Sequence, residues 1–152
     1  NNYPPMGTDI SLFDFITSDN GGSMHAVCDY LNLWAAEADK VENFHLLRYE
    51  DLRSDPHGEL RRLLDFMQVD ASDEHLNAAV EYSAYENMKK MESKQQFRLA
   101  GGRMMPRDKN NPNSYKVRRA KVGGYRDYFT DEEVAAIDAQ LAQTLDPMFQ
   151  YR

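Results

Sequence analysis

Residues 116–129 read KVRRAKVGGYRDYF. Two adjacent guanidiniums, Arg118 and Arg119, stand just before small residues, Ala120, Gly123 and Gly124, that let a backbone come close to a ligand. Arginine makes strong, directional, often bidentate hydrogen bonds to phosphate, so residue types in this order suit a clamp for a small oxyanion. Between residues 98 and 126 there are nine basic side chains and one acidic one, Asp108, in a chain whose 25 acidic and 18 basic residues leave a net charge of −7. Charge alone fits a solvated loop as well as a phosphate or sulfate site. RNA binding uses similar residues, but the acidity of the remaining chain and the lack of a second basic face argue against nucleic acid and against an anionic membrane.

Other chemistries lack their residues. There is no Gly-x-x-x-x-Gly-Lys-Ser/Thr loop, no Gly-x-Gly-x-x-Gly, no Gly-x-Ser-x-Gly elbow and no Cys/His cluster at metal-ligand spacing, so no metal is expected. His25, His45, His57 and His75 are scattered and read as surface or satisfied interior residues. The carboxylates Glu50-Asp51 and Asp131-Glu132-Glu133 fall at a strand end and a helix start, where capping explains them. No catalytic residue is assigned within the chain.

A chain of 152 residues with 41% apolar content and one cysteine makes one globular domain or part of one. Collagenous, disulfide-framework and low-complexity classes are excluded. No apolar run reaches the roughly 18 residues of a membrane span, and residues 1–6 lack the pattern of a signal peptide. Cys28 has no partner for an internal disulfide, which fits a reducing compartment; a cytoplasmic location is the default expectation.

The spacing predicts a short turn or helix over 11–16 and a helix over 23–38 with Val27, Leu31, Trp34, Ala35 and Ala38 on its buried stripe. Trp34 is expected in the core. Residues 44–49, short and largely apolar, read as a strand that needs partners this chain does not clearly supply. Helices follow over 56–67, with Leu60, Leu63, Leu64 and Met67 buried, from Ser72 or Asp73 through Ser83, and over 85–90. Residues 98–117, rich in Gly, Pro and Asn, form a long loop, a kind uncommon in compact domains unless it binds something. Segment 97–115 is long and basic enough to act as a lid. Thr130 with Glu133 makes a capping box for a last helix carrying Val134, Ile137, Leu141 and Leu145, ended by Asp146-Pro147.

The segment RRAKVGGYRDYFT, Arg118 to Thr130, resembles the cytosolic-type sulfotransferase signature Arg-Lys-Gly-x-x-Gly-Asp-Trp-Lys-Asn-x-Phe-Thr. Upstream and in the same order, LLRYEDL (46–52), LLDFM (63–67) and SAYENMKK (83–90) resemble that family's strand-terminal Tyr-Glu-Asp, its following Phe-Leu helix and its Ser-Phe-x-x-Met-Lys element, and SLFDF…GG…WAAE resembles the stretch before them. The likeness covers nearly the whole chain. It implies transfer of a sulfuryl group from 3′-phosphoadenosine 5′-phosphosulfate (PAPS) to a hydroxyl or amine acceptor on an α/β fold related to P-loop kinases. By the same resemblance, Arg118, Arg119 and the backbone at Ala120 hold the 3′-phosphate, while Tyr49, Ser83 and Tyr85 line the adenine. Read without the family, Tyr49 and Tyr85 are ordinary core aromatics.

This sequence departs from the family pattern in places. Arg119 replaces lysine, and Ala120 replaces glycine, a change that costs roughly 1 kcal/mol or more if the position needs a positive φ. Gly124-Tyr125 replaces Asp-Trp, and the family's dimerisation signature is not reproduced in RDYFTDEEVA. The family's phosphosulfate loop, catalytic lysine, histidine base and the further arginine and serine on the 3′-phosphate are not found. Residues 1–152 are therefore expected to be the C-terminal, helix-rich part of a single sulfotransferase domain, with few strands. A missing N-terminal half or a second chain would complete it, and this chain alone is expected not to transfer sulfate. The alternative is a non-catalytic nucleotide-binding or protein-interaction module derived from such an enzyme, and a third option is a plain helical domain with a basic loop.

Overall fold

The structure, a computed structural model, describes residue 5 and residues 7–18, 23–94, 96, 106–117 and 120–151. The chain divides into two compact units, Asn1–Phe44 with Gly123–Arg152, and His45–Val122. Among the described residues all regular structure is helical.

The first unit holds α1 (Leu12–Thr17), α2 (Ser23–Glu37) and α7 (Asp131–Thr144). Ser11 starts α1, its hydroxyl accepting the Asp14 amide at 3.0 Å. The capping box at the head of α7 forms as the sequence requires: the Thr130 amide donates to Glu133 Oε2 at 2.8 Å, and the Glu133 amide donates to Thr130 Oγ1 at 3.3 Å. The core consists of Cys28 from α2, Val134 and Ile137 from α7, and Leu145 and Phe149 beyond it. Asp146 and Pro147 end α7 as expected and start a 3₁₀ turn, Pro147–Phe149, in which the Asp146 carboxylate accepts the Met148 amide at 2.8 Å. The packed face of α2 differs from the expected stripe. Cys28 is buried and Met24, Leu31 and Ala35 are half-buried, whereas Val27 is 55% and Trp34 41% exposed. Positions 24, 28, 31 and 35 share one face at helical spacing, and Val27 and Trp34 lie on its flank. Trp34 stacks on Phe44 with centroids 6.3 Å apart and meets the edge of Tyr30, so it is a surface aromatic rather than a core residue.

The second unit holds α3 (Tyr49–Ser54), α4 (Pro56–Phe66), α5 (Asp73–Ser83) and α6 (Tyr85–Ser93). Asp55 caps α4 by accepting the Gly58 amide at 2.9 Å, with Pro56 in the first turn. A Cβ at Gly58 would come within 2.0 Å of the Asp55 carboxylate as it is placed here and would make that side chain shift. Ser72 caps α5 at the His75 amide. Arg61 ties α4 to the head of α5, donating to the Ala71 carbonyl at 2.7 Å and pairing with Asp73. Leu76 is buried and Leu60, Leu63 and Leu64 are half-buried, while Met67, expected with them, is 57% exposed just past the helix end.

The expected strand is absent from the described residues. Residues 44–48 are irregular, and helix begins at Tyr49. A lone strand would leave its backbone groups unpaired, whereas the acidic Glu50 and Asp51 suit the positive N-terminal end of a helix. The loop expectation for 98–117 holds over residues 106–117, where a single 3₁₀ turn, Pro112–Ser114, interrupts irregular chain. Residues 97–105, the first part of the segment 97–115 expected to act as a lid, lie outside the described residues.

Candidate functional site

A groove of about 870 Å³ runs through the second unit. Its walls come from the start of α3, from α4, from the junction of α5 with α6, and from the chain at Val117 and Ala120. Four of the six residues named from the sequence, Tyr49, Ser83, Tyr85 and Ala120, line it together. The other two, Arg118 and Arg119, lie outside the described residues, between Val117 and Ala120 in the chain.

Each position follows from local structure. Tyr49 is the first residue of α3 and is 47% exposed, so it is not a core aromatic. Ser83 ends α5, and its hydroxyl hydrogen points back to the carbonyls of Ala79 at 2.9 Å and Val80 at 3.2 Å, which leaves the oxygen lone pairs as acceptors. Ala84 breaks the helix with φ −56° and ψ 140°, and Tyr85 starts α6 half-buried with the Lys89 ammonium 5.4 Å from its ring centroid. Two aromatic side chains and one hydroxyl thus meet at helix ends in a largely apolar groove.

Ala120 has φ +47°, the left-handed conformation in which glycine is free of strain and a Cβ is not. The concern raised by alanine at this glycine position of the signature is met in the structure. Further on, Gly123 at φ +69° leads the 3₁₀ turn Gly124–Tyr128 in the first unit. There the Tyr125 hydroxyl donates to Asp138 Oδ1 at 2.6 Å and Arg126 donates to Asp138 Oδ2 at 2.8 Å. The hydrogen bond from Tyr125, then that from Arg126, holds the Asp138 carboxyl below its ordinary range against the opposing effect of desolvation. Burial, reinforced by Asp138, pushes the Tyr125 phenol up. Arg126, read from sequence as part of the basic run, is thereby committed to α7.

Sequence reasoning missed three residues. Arg53 and Glu86 add a cation and an anion to the groove walls. Glu92, near the end of α6, is fully buried and accepts the Lys116 amide at 2.6 Å and the Val117 amide at 2.8 Å. The signal for Glu92 was present: Tyr85, Met88 and Glu92 fall at helical spacing on one face of α6, which puts a carboxylate on an apolar stripe. Among the described residues no His, Cys, Asp and Glu cluster is arranged to hold a metal ion, and no helix is long and apolar enough to cross a membrane.

Comparison with known proteins agrees with the ordered motifs. The family model of the sulfotransferase domain matches residues 13–149. A flavonol 4′-sulfotransferase of Flaveria chlorifolia is 27% identical over 120 residues, covering 76% of this chain and 36% of that protein. A flavonol 3-sulfotransferase of Flaveria bidentis is 27% identical over 121 residues, covering 76% and 37%, and sulfotransferase 2A6 of Rattus norvegicus is 23% identical over 110 residues, covering 72% and 36%. The chain spans about a third of the length of these relatives. No solved structure matches it at a significant level. With the family match running through both units and over nearly every described element, this chain belongs to the sulfotransferase family.

Proposed function

We propose that this chain forms the 3′-phosphoadenosine-binding part of a PAPS-dependent sulfotransferase, on an α/β fold of the P-loop-kinase type to which these helices contribute. The observation that carries the reading is the convergence of Tyr49, Ser83, Tyr85 and Ala120, drawn from three separate stretches of sequence, onto one groove of nucleotide size. The groove fits a purine: Tyr49 and Tyr85 offer aromatic faces, and the lone pairs of Ser83 can accept from an exocyclic amine. Arg118 and Arg119 follow Val117 in the chain and would neutralise a ribose-linked phosphate dianion. PAPS, when bound, supplies the activated sulfuryl group.

In this reading the chain's own residues bind and orient the nucleotide, and none of them moves a proton. The acceptor is a hydroxyl or amine, and the general base and phosphosulfate contacts come from residues other than these 152. The purified chain is therefore inactive in sulfuryl transfer to any acceptor.

Titration calorimetry with adenosine 3′,5′-bisphosphate tests the reading. Micromolar binding by the chain, abolished in Arg118→Ala, is the expected result. Absence of binding by the wild-type chain, or unchanged binding by the variant, would overturn it. Sulfation of a phenol or amine by the chain alone would refute the statement on inactivity.

A further inference from the structure

We infer that Glu92 is a positioning residue for this groove: its carboxylate holds the chain that carries the two arginines. The inference rests on the nucleotide reading above and adds to it a residue outside the family motifs recognised in the sequence. Glu92 Oε1 accepts the Lys116 amide at 2.6 Å and Oε2 accepts the Val117 amide at 2.8 Å, so both oxygens are used on consecutive backbone donors. The residue has no exposed surface at all.

A carboxylate is costly to bury, and two charge-assisted hydrogen bonds from a loop are a reason for it to stay there. What the two bonds fix is specific. The next residues after Val117 are Arg118 and Arg119, and Val117 and Ala120, which bracket them, are both walls of the groove. On the other side, Glu92 shares its face of α6 with Tyr85 and Met88, which also line the groove. One buried side chain thus couples the helix that presents an adenine-facing ring to the loop that bears the phosphate-binding charges. Residues 106–117 are otherwise irregular apart from one 3₁₀ turn, so these two bonds anchor the chain where it reaches the groove wall at Val117.

The test separates positioning from simple stability by using two ligands. Adenosine 3′,5′-bisphosphate engages the arginine-bearing loop, whereas 5′-AMP lacks the 3′-phosphate. In Glu92→Gln, one acceptor is replaced by an amide NH₂ that opposes a backbone N–H, and affinity for the bisphosphate is expected to fall about tenfold or more while affinity for 5′-AMP changes less than twofold. Equal weakening toward both ligands, or no weakening toward either, overturns the inference. A wild-type chain that does not prefer the bisphosphate over 5′-AMP refutes the nucleotide reading itself, and this inference with it. Hydrogen exchange on the wild-type chain needs no variant: the Lys116 and Val117 amides are expected to be protected above the flanking loop, and free exchange at both overturns the inference even if Glu92→Gln does not fold.

Discussion

Asn32 and Asp146 are 114 positions apart in sequence and share a hydrogen bond of 2.8 Å, from the Asp146 amide to Asn32 Oδ1. The same side chain donates through Nδ2 to the Thr144 carbonyl at 2.7 Å. One amide on α2 thereby satisfies a carbonyl of the last turn of α7 and the amide just beyond it, groups that a helix end leaves without partners of its own.

Asn32→Ala is expected to destabilise the chain by about 1–2 kcal/mol, the net worth of two hydrogen bonds. Asn32→Asp keeps the acceptor but sets a carboxylate against the Thr144 carbonyl, at the negative end of the helix dipole. It is expected to be no better than alanine. Urea unfolding of the three proteins measures this, and a wild-type midpoint for Asn32→Ala would show that the bridge contributes nothing.

Ala120→Gly is expected to stabilise. Release of the left-handed strain at φ +47° is worth about 1–2 kcal/mol, and the added freedom of glycine in the unfolded chain takes back about 0.4–1 kcal/mol. The net gain is about 0.5–1 kcal/mol, a rise in melting temperature of about 1–4 °C for a chain this size. A lower melting temperature would mean that the conformation carries no strain.

The pH dependence at Asp138 has a definite sign. Its folded pKa lies below the unfolded value of about 3.9, so its contribution is fully present above that value and is lost as pH falls through the lower folded one. Asp138→Asn is expected to lower the melting temperature at pH 7 and to make no difference once the wild-type carboxyl is protonated. Melting curves from pH 7 down to the acid limit should converge; parallel curves would show that Tyr125 and Arg126 do not stabilise the ionised form.

Tyr49→Ala separates binding from folding. The ring is 47% exposed, so its loss is expected to change stability by less than about 1 kcal/mol, while loss of a base-stacking surface costs about 1–3 kcal/mol of nucleotide affinity. Calorimetry should show a drop of about fivefold or more for adenosine 3′,5′-bisphosphate with little change in melting temperature. A chain that binds as before would remove Tyr49 from the site.

Four of the helix starts were legible because their determinants are local. Ser11, Asp55, Ser72 and Thr130 each cap the helix that follows, and a cap needs only a side-chain oxygen and an amide two or three residues away. The left-handed backbone at Ala120 was implied only by the resemblance, whose signature has glycine at this position, and φ there is +47°. The ordered motifs, and with them the family, also lie in the sequence itself.

What the tertiary structure decided is what depends on partners. Residues 44–49 carry an apolar pattern that fits a strand, but a strand exists only with a neighbour to pair with, and here the run ends in a helix at Tyr49. Trp34 satisfies the helical period as well as Cys28 does, and which of them is buried depended on where α7 lies. The meeting of Tyr49, Ser83, Tyr85 and Ala120, and the carboxylate of Glu92 on two amides more than twenty residues away, are spatial facts. Hydrogen bonds and burial act over a few ångströms whatever the separation along the chain, so only the folded backbone could bring these groups within range of one another.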